Sequence, residues 1–160
     1  MRKIFRAILL MMAIAGCTSH KVVSSNGTTV TTNGTGDNQT VTVQASGGSF
    51  TAGKNAVDPA KLGLPVYPGA TTDEGGAMSG TSAQGSGAVI SLKTSDAFDK
   101  VYAWYKAHMP ANAQTMQSTA GSASVGSFVE GKSSDKEQKS VTITSSTDGT
   151  TITLVSATKN

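Results

Sequence analysis

Cysteine is almost missing from this chain, and its scarcity removes several kinds of chemistry at once. The 160 residues hold one, Cys17, so no disulfide can close within the chain and no cysteine metal site can form. Stability has to come from a packed core, and the length suits one domain rather than two. Arginine is scarce as well: Arg2 and Arg6 are the only two, both near the start. Nucleic-acid recognition relies on clustered positive charge, usually with arginine for bidentate contacts. The lysines Lys54, Lys61, Lys93, Lys100, Lys106, Lys132, Lys136 and Lys139 are scattered instead, as on a solvated surface, and nucleic acid is excluded as a partner. Aromatic residues make up 5% of the chain, few enough that most are needed to fill a core. No apolar run is long enough to span a bilayer as a helix.

What is present at the N-terminus is more specific. Arg2, Lys3 and Arg6 form a positive region, and Ile8 to Ile14 form a short apolar one, the order found in a secretory signal. The segment ends in Ile14-Ala15-Gly16-Cys17, which resembles the bacterial lipobox. That resemblance implies cleavage between Gly16 and Cys17, a diacylglycerol on the Cys17 thiol and an acyl chain on its new amine. The plainer reading is an ordinary signal cut near Ala15, leaving Cys17 as a free thiol, a liability in an exported protein. Thr18 and Ser19 follow the cysteine where an aspartate would favour inner-membrane retention. The implied location is therefore the cell envelope, at the outer membrane facing the periplasm. Removing residues 1–16 leaves ten lysines against ten carboxylates, so the formal charge of +3 belongs to the signal.

Composition divides the remainder. Residues 17–57 are rich in Ser, Thr, Gly and Asn and read as a flexible or weakly β tether, unable to bury enough surface to offset its entropy. A competing reading pairs Thr28–Thr32 with Thr40–Gln44, both alternating valine with threonine, through a turn at Asn33-Gly34 or Gly36-Asp37. Residues 58–160 read as the folded domain. Leu62 to Ala70 is an extended or edge segment between Pro65 and the turn signal Pro68-Gly69. Residues 71–87 read as a Gly/Ser-rich loop with a short strand around Met78, and Ala88–Thr94 as a strand. A helix is expected over about 95–109, capped by Thr94-Ser95-Asp96 and ended by Pro110. Its apolar stripe is Phe98, Val101, Tyr102, Tyr105 and Met109. Ala123–Glu130 reads as a strand weakened by Gly126. Val141–Ser146 and Thr150–Ser156 read as a hairpin about Asp148-Gly149, with Ile143 opposite Leu154 and Val141 opposite Ser156. Their aliphatics share one face and Thr142, Thr144, Thr151 and Thr153 the other. The expected fold is α+β, a small antiparallel sheet with one amphipathic helix packed on one face, preceded by the tether.

Leu64-Pro65-Val66-Tyr67-Pro68-Gly69-Ala70, then Lys93-Thr94-Ser95-Asp96 and the helix segment Val101-Tyr102-Ala103-Trp104-Tyr105-Lys106 closing at Met109-Pro110, carry a family resemblance. They resemble small exported bacterial proteins of uncharacterised function, many of them lipoproteins, that share a YPGA segment followed by a T-x-D…V-x-x-(F/W)-Y-K helix. The resemblance covers roughly Leu62 to Pro110 and implies no catalytic residue.

Signs of chemistry are sparse. Ser133-Ser134-Asp135-Lys136 fits the S-x-x-K pattern of penicillin-recognising enzymes, but the stretch is polar and lacks the accompanying S-D-N and K-T-G motifs. His108, near the helix end, suits an interaction with the helix dipole better than general-base work. His20 falls in the tether, and Asp73-Glu74 is the only adjacent acidic pair, so no metal constellation is visible. Tyr67, Tyr102, Trp104 and Tyr105 offer an aromatic platform, with Tyr67 and Trp104 as candidate binding residues, although a chain this poor in aromatics needs them for its core. The Thr-x-Thr pairs offer a hydroxyl array that ordinary strand surfaces also show. The expected role is a lipid-anchored, non-enzymatic interaction or structural module of the bacterial envelope, with an envelope protein or glycan as partner. No cofactor is expected beyond the lipid on Cys17. The alternatives are a periplasmic serine hydrolase using Lys136 or His108, and a glycan- or peptidoglycan-binding lipoprotein.

Overall fold

Threonine, serine and valine at alternate positions make most of this chain extended. The computed structural model describes residues 20–23, 27–132 and 134–160. The signal segment, Gly16, Cys17 and Ser133 lie outside them. In chain order the elements are β1 (His20–Val23), β2 (Thr29–Asn33), β3 (Thr40–Ala45), β4 (Gly48–Gly53), β5 (Thr71–Ser82), β6 (Gly85–Thr94), α1 (Phe98–His108), β7 (Gln114–Ala120), β8 (Ala123–Glu130), β9 (Glu137–Ser146) and β10 (Gly149–Lys159). All the strands join one antiparallel sheet in the order β1-β2-β3-β4-β5-β6-β10-β9-β8-β7. Two meanders therefore meet at a single seam, where β6 pairs with β10, and α1 carries the chain from the seam to the far edge.

The expected small sheet with a helix on one face and a tether before it is overturned by this ten-stranded sheet. Residues 29–53 are three strands of it, and the 71–87 stretch is β5 with the start of β6. These segments carry few large side chains, but a neighbouring strand satisfies their backbone groups whether or not the side chains are large. A lone valine-threonine hairpin would be marginal; one continued into a sheet is not.

The core lies between α1 and the half of the sheet formed by β6, β8, β9 and β10. Ile90, Leu92, Phe128, Val141, Ile143, Ile152 and Leu154 rise from the strands, and Phe98, Val101, Tyr105 and Met109 descend from the helix side. In the β9–β10 hairpin the loop is Thr147-Asp148, and Gly149 pairs with Ser146. Ile143 faces Ile152 and Val141 faces Leu154, a register two residues from the expected one. A slip of two preserves the faces and sets the four aliphatics directly across from one another. Gly149 has φ +131°, and a Cβ there would collide with the Thr94 carbonyl oxygen of β6. The helix starts later than its sequence signals imply: Ala97 is the N-cap residue, without a side-chain cap, and its carbonyl accepts from Lys100 and Val101. Met109 closes it in extended backbone, as a residue before proline should.

Gly126 explains how closely the helix docks. A Cβ at this position would stand 2.5 Å from the Tyr102 ring and 3.3 Å from Phe98, so the side-chain-free strand is the seat on which both rings rest. Gly126→Ala is expected to destabilise the fold by about 1–3 kcal/mol through overpacking. Chemical denaturation should show a lower midpoint at unchanged slope.

Candidate functional site

Ahead of β5 the chain forms a strap across the helix side of the sheet. Asp58 accepts from the Ala60 amide at 3.1 Å, Pro59 opens one turn of 3-10 helix to Leu62, and Gly63 closes it in the left-handed region. Leu62, Leu64 and Tyr67 are buried beneath the strap. The Tyr67 hydroxyl donates to Asp96 Oδ2 at 2.7 Å, and Lys100 Nζ donates to Asp96 Oδ1 at 2.9 Å. The Asp96 carbonyl accepts from Thr150 Oγ1 at 2.7 Å, which partners a fully buried threonine. Asp96 thus joins strap, helix and β10.

The electrostatics of this knot follow from its contacts. Lys100 and then Tyr67 hold the Asp96 carboxyl below the usual aspartate range, while Asp96 holds Lys100 above the usual lysine range. Burial, reinforced by Asp96, raises the Tyr67 phenol. A carboxylate whose folded pKa is depressed stabilises the fold above its unfolded pKa, and the contribution fades as pH falls through the folded value. Asp96→Asn should therefore melt below the native chain at neutral pH, and the gap should close as pH falls below the ordinary aspartate range. Parallel melts across that range decide it.

Tyr67 and Trp104, the candidate binding residues, meet edge to face at 5.3 Å. Tyr67 is buried, while Trp104 is half-buried at the edge of the core. His108 stacks on Trp104 at 4.0 Å, with Nδ1 2.7 Å from the Trp104 carbonyl oxygen. Tyr105 beneath them is fully buried, and burial pushes its phenol well above the ordinary tyrosine range; its hydroxyl, beside the Tyr67 backbone, makes no hydrogen bond of normal geometry. Lys136 sits in the connection between β8 and β9, where its carbonyl accepts from the Lys159 amide at 2.7 Å. Asp135 Oδ2 accepts from the Lys132 amide at 2.8 Å. The structure leaves His108 and Lys136 on separate elements, one closing α1 and one between strands. Among the described residues no three His, Cys, Asp or Glu side chains gather as metal ligands would.

A concave feature of the helix side lies beyond the strap. Past Ala77 and Ile90 the same face of the sheet turns from aliphatic to hydroxyl-bearing. One cross-strand row runs Ser49, Thr81, Ser86 and Thr158, and the row beside it Thr51, Ser79, Ala88 and Ser156. Together with Lys61 and Leu62 from the strap and Glu137 from β9, all of these but Thr51 line a trough of about 320 Å³. Ser49 and Thr81 share a hydrogen bond at 2.8 Å, and Lys139 Nζ pairs with Glu137 at 3.2 Å near one end. Each hydroxyl offers one donor and two acceptor sites, so the floor suits a ligand rich in hydroxyl or amide groups. Sequence reasoning placed a hydroxyl array on Thr29/Thr31, Thr40/Thr42, Thr142/Thr144 and Thr151/Thr153, and missed this one. Its residues come from strands far apart in the chain, and only serine or threonine at alternate positions of β4, β5 and β10 hinted at it.

A family model described as START domain-like matches residues 71–154, more than half of the chain, from the start of β5 to Leu154 in β10. No curated protein and no solved structure matches. The chain belongs to the START domain-like family.

Proposed function

We propose that this chain is a lipid-anchored module of the bacterial cell envelope that binds its ligand without transforming it. The observation carrying the binding half is the trough, a concave, hydroxyl-lined surface on a domain of a family whose fold is a ligand-binding one. The anchoring half rests on Ile14-Ala15-Gly16-Cys17 after a basic and an apolar segment, with Cys17 as the lipidated residue and the outer membrane, facing the periplasm, as its location. A hydroxyl-rich lining whose charged members, Lys61 and Glu137, are of opposite sign favours a polar ligand without net charge, and the polymer of that chemistry in the envelope is the glycan of peptidoglycan. Tethering confines the domain to a thin layer beside that polymer and raises its effective concentration there.

Co-sedimentation of the purified protein, in mild detergent, with intact sacculi tests the reading. The native chain is expected to pellet with them, and Thr81→Val, which replaces a hydroxyl by a methyl in the trough, to weaken the association several-fold. Trp104→Ala serves as the comparison, since loss of binding in that variant alone would move the site to the aromatic cluster. A native chain that stays in the supernatant ends the glycan reading and leaves an envelope protein as the partner.

A further inference from the structure

The face of the sheet opposite α1 carries an unpartnered apolar patch. Phe50 on β4 and Met78 on β5 are each 46% exposed. Met78 stands opposite Val89 of β6, and Val89 opposite Val155 of β10. Between the rows the floor has no side chains: Gly80 pairs with Gly87, and the Phe50 ring reaches over Gly80. The result is an open groove of about 270 Å³ whose walls are almost entirely apolar. Large exposed apolar side chains gathered on one sheet face mark a contact surface rather than ordinary scatter.

The chain itself says what lies nearby. β1, the edge strand of the sheet, begins at His20, and Thr18 and Ser19 are the only residues between it and Cys17. Even fully extended, that connection holds the sheet edge within about 10 Å of a lipid on Cys17. β4, which bears Phe50, lies three strands in from β1, a further distance of about 14 Å across the sheet. A sheet pinned by its edge at so short a distance has one large face free to lie down on the bilayer, and the face opposite α1 is the apolar one. We propose that this face, centred on Phe50 and Met78, lies against the membrane to which Cys17 is tied, leaving the hydroxyl trough on the other side of the sheet directed away from the lipid. The inference rests on the lipid-anchor reading and adds an orientation to it.

A probe on each side of the sheet tests the orientation. Lipidation consumes the one cysteine, so Met78→Cys or Ala107→Cys supplies a unique thiol for an environment-sensitive fluorophore; Ala107 lies exposed on α1, on the opposite side. The full-length, processed proteins are reconstituted into phosphatidylethanolamine and phosphatidylglycerol vesicles, with and without brominated acyl chains. A blue-shifted Met78 probe quenched at least threefold more by brominated lipid than the Ala107 probe supports the proposal. Equal quenching at the two sites in protein that floats with the vesicles overturns it while leaving the anchor intact. A Met78 probe that is blue-shifted but unquenched also overturns it, since the face is then covered by protein. Protein that fails to float removes the anchor and the orientation together.

Discussion

Cys17→Ala is expected to move the protein entirely from the membrane fraction to the soluble fraction of the envelope, and to abolish incorporation of labelled palmitate. The magnitude follows from the acyl chains. Each buried methylene is worth about 0.8 kcal/mol, and a single myristoyl chain gives only marginal, reversible binding. Two or three chains on one residue hold a protein effectively without release. Among the described residues nothing substitutes for that anchor, and no helix there is long and apolar enough to cross a membrane. Two half-exposed side chains on one face of a sheet, Phe50 and Met78, can orient a tethered domain but cannot retain a free one. Flotation of the variant with the vesicle fraction would sink the lipid reading. Intact mass of the native protein supplies a second readout, since the lipid reading requires loss of residues 1–16 and added mass at Cys17.

Phe128→Ala is expected to cost about 3–5 kcal/mol of folding stability, the range for emptying a buried aromatic site. Phe128 is 1% exposed, its ring centroid 5.0 Å from Tyr102 and 6.2 Å from Tyr105. It is the point where β8 meets the helix, and neither neighbour can fill the void without leaving its own place. A domain of this size has about 5–15 kcal/mol to lose, so the variant is marginal at physiological temperature. Its melting temperature should fall by about 10 °C or more. Met116→Ala is the control: Met116 is 59% exposed on β7 and should change stability by less than about 0.5 kcal/mol. Equal effects of the two substitutions would rule out the packing of α1 on β8.

The legible parts of the fold are those where large side chains repeat. α1 announces itself through Phe98, Val101, Tyr105 and Met109, and all four are buried. The β9–β10 hairpin does so through Val141, Ile143, Ile152 and Leu154, although the turn residues misplace the register by two. β8 spans the expected Ala123–Glu130. The strands that escape notice have little to bury. β7 is exposed along its whole length, β4 carries one large side chain and β5 has glycines at Gly75, Gly76 and Gly80. Such segments become strands because a neighbour offers its backbone, and no periodicity records that offer. A sheet grown from a clear hairpin by weak additions looks smaller in sequence than it is. The trough was hidden for a related reason, because a row such as Ser49, Thr81, Ser86 and Thr158 exists only once four strands are in register.

The seam between β6 and β10 also bears on when the protein can fold. β10 follows the other described strands in the chain, yet it stands between the two meanders and contributes Ile152 and Leu154 to the centre of the core. A nascent chain lacking it holds β1–β6 and β7–β9 as two unjoined pieces, each with an open hydrogen-bonding edge and a half-built apolar face. Synthesis runs from the N-terminus, so the element that unites the sheet arrives last. Loss of the final eleven or so residues should thus abolish folding, whereas loss of β1 from the far edge should be tolerated. For a chain whose first residues resemble an export signal this order would be useful, keeping it unfolded, and able to pass through a translocation channel, until β10 has been made.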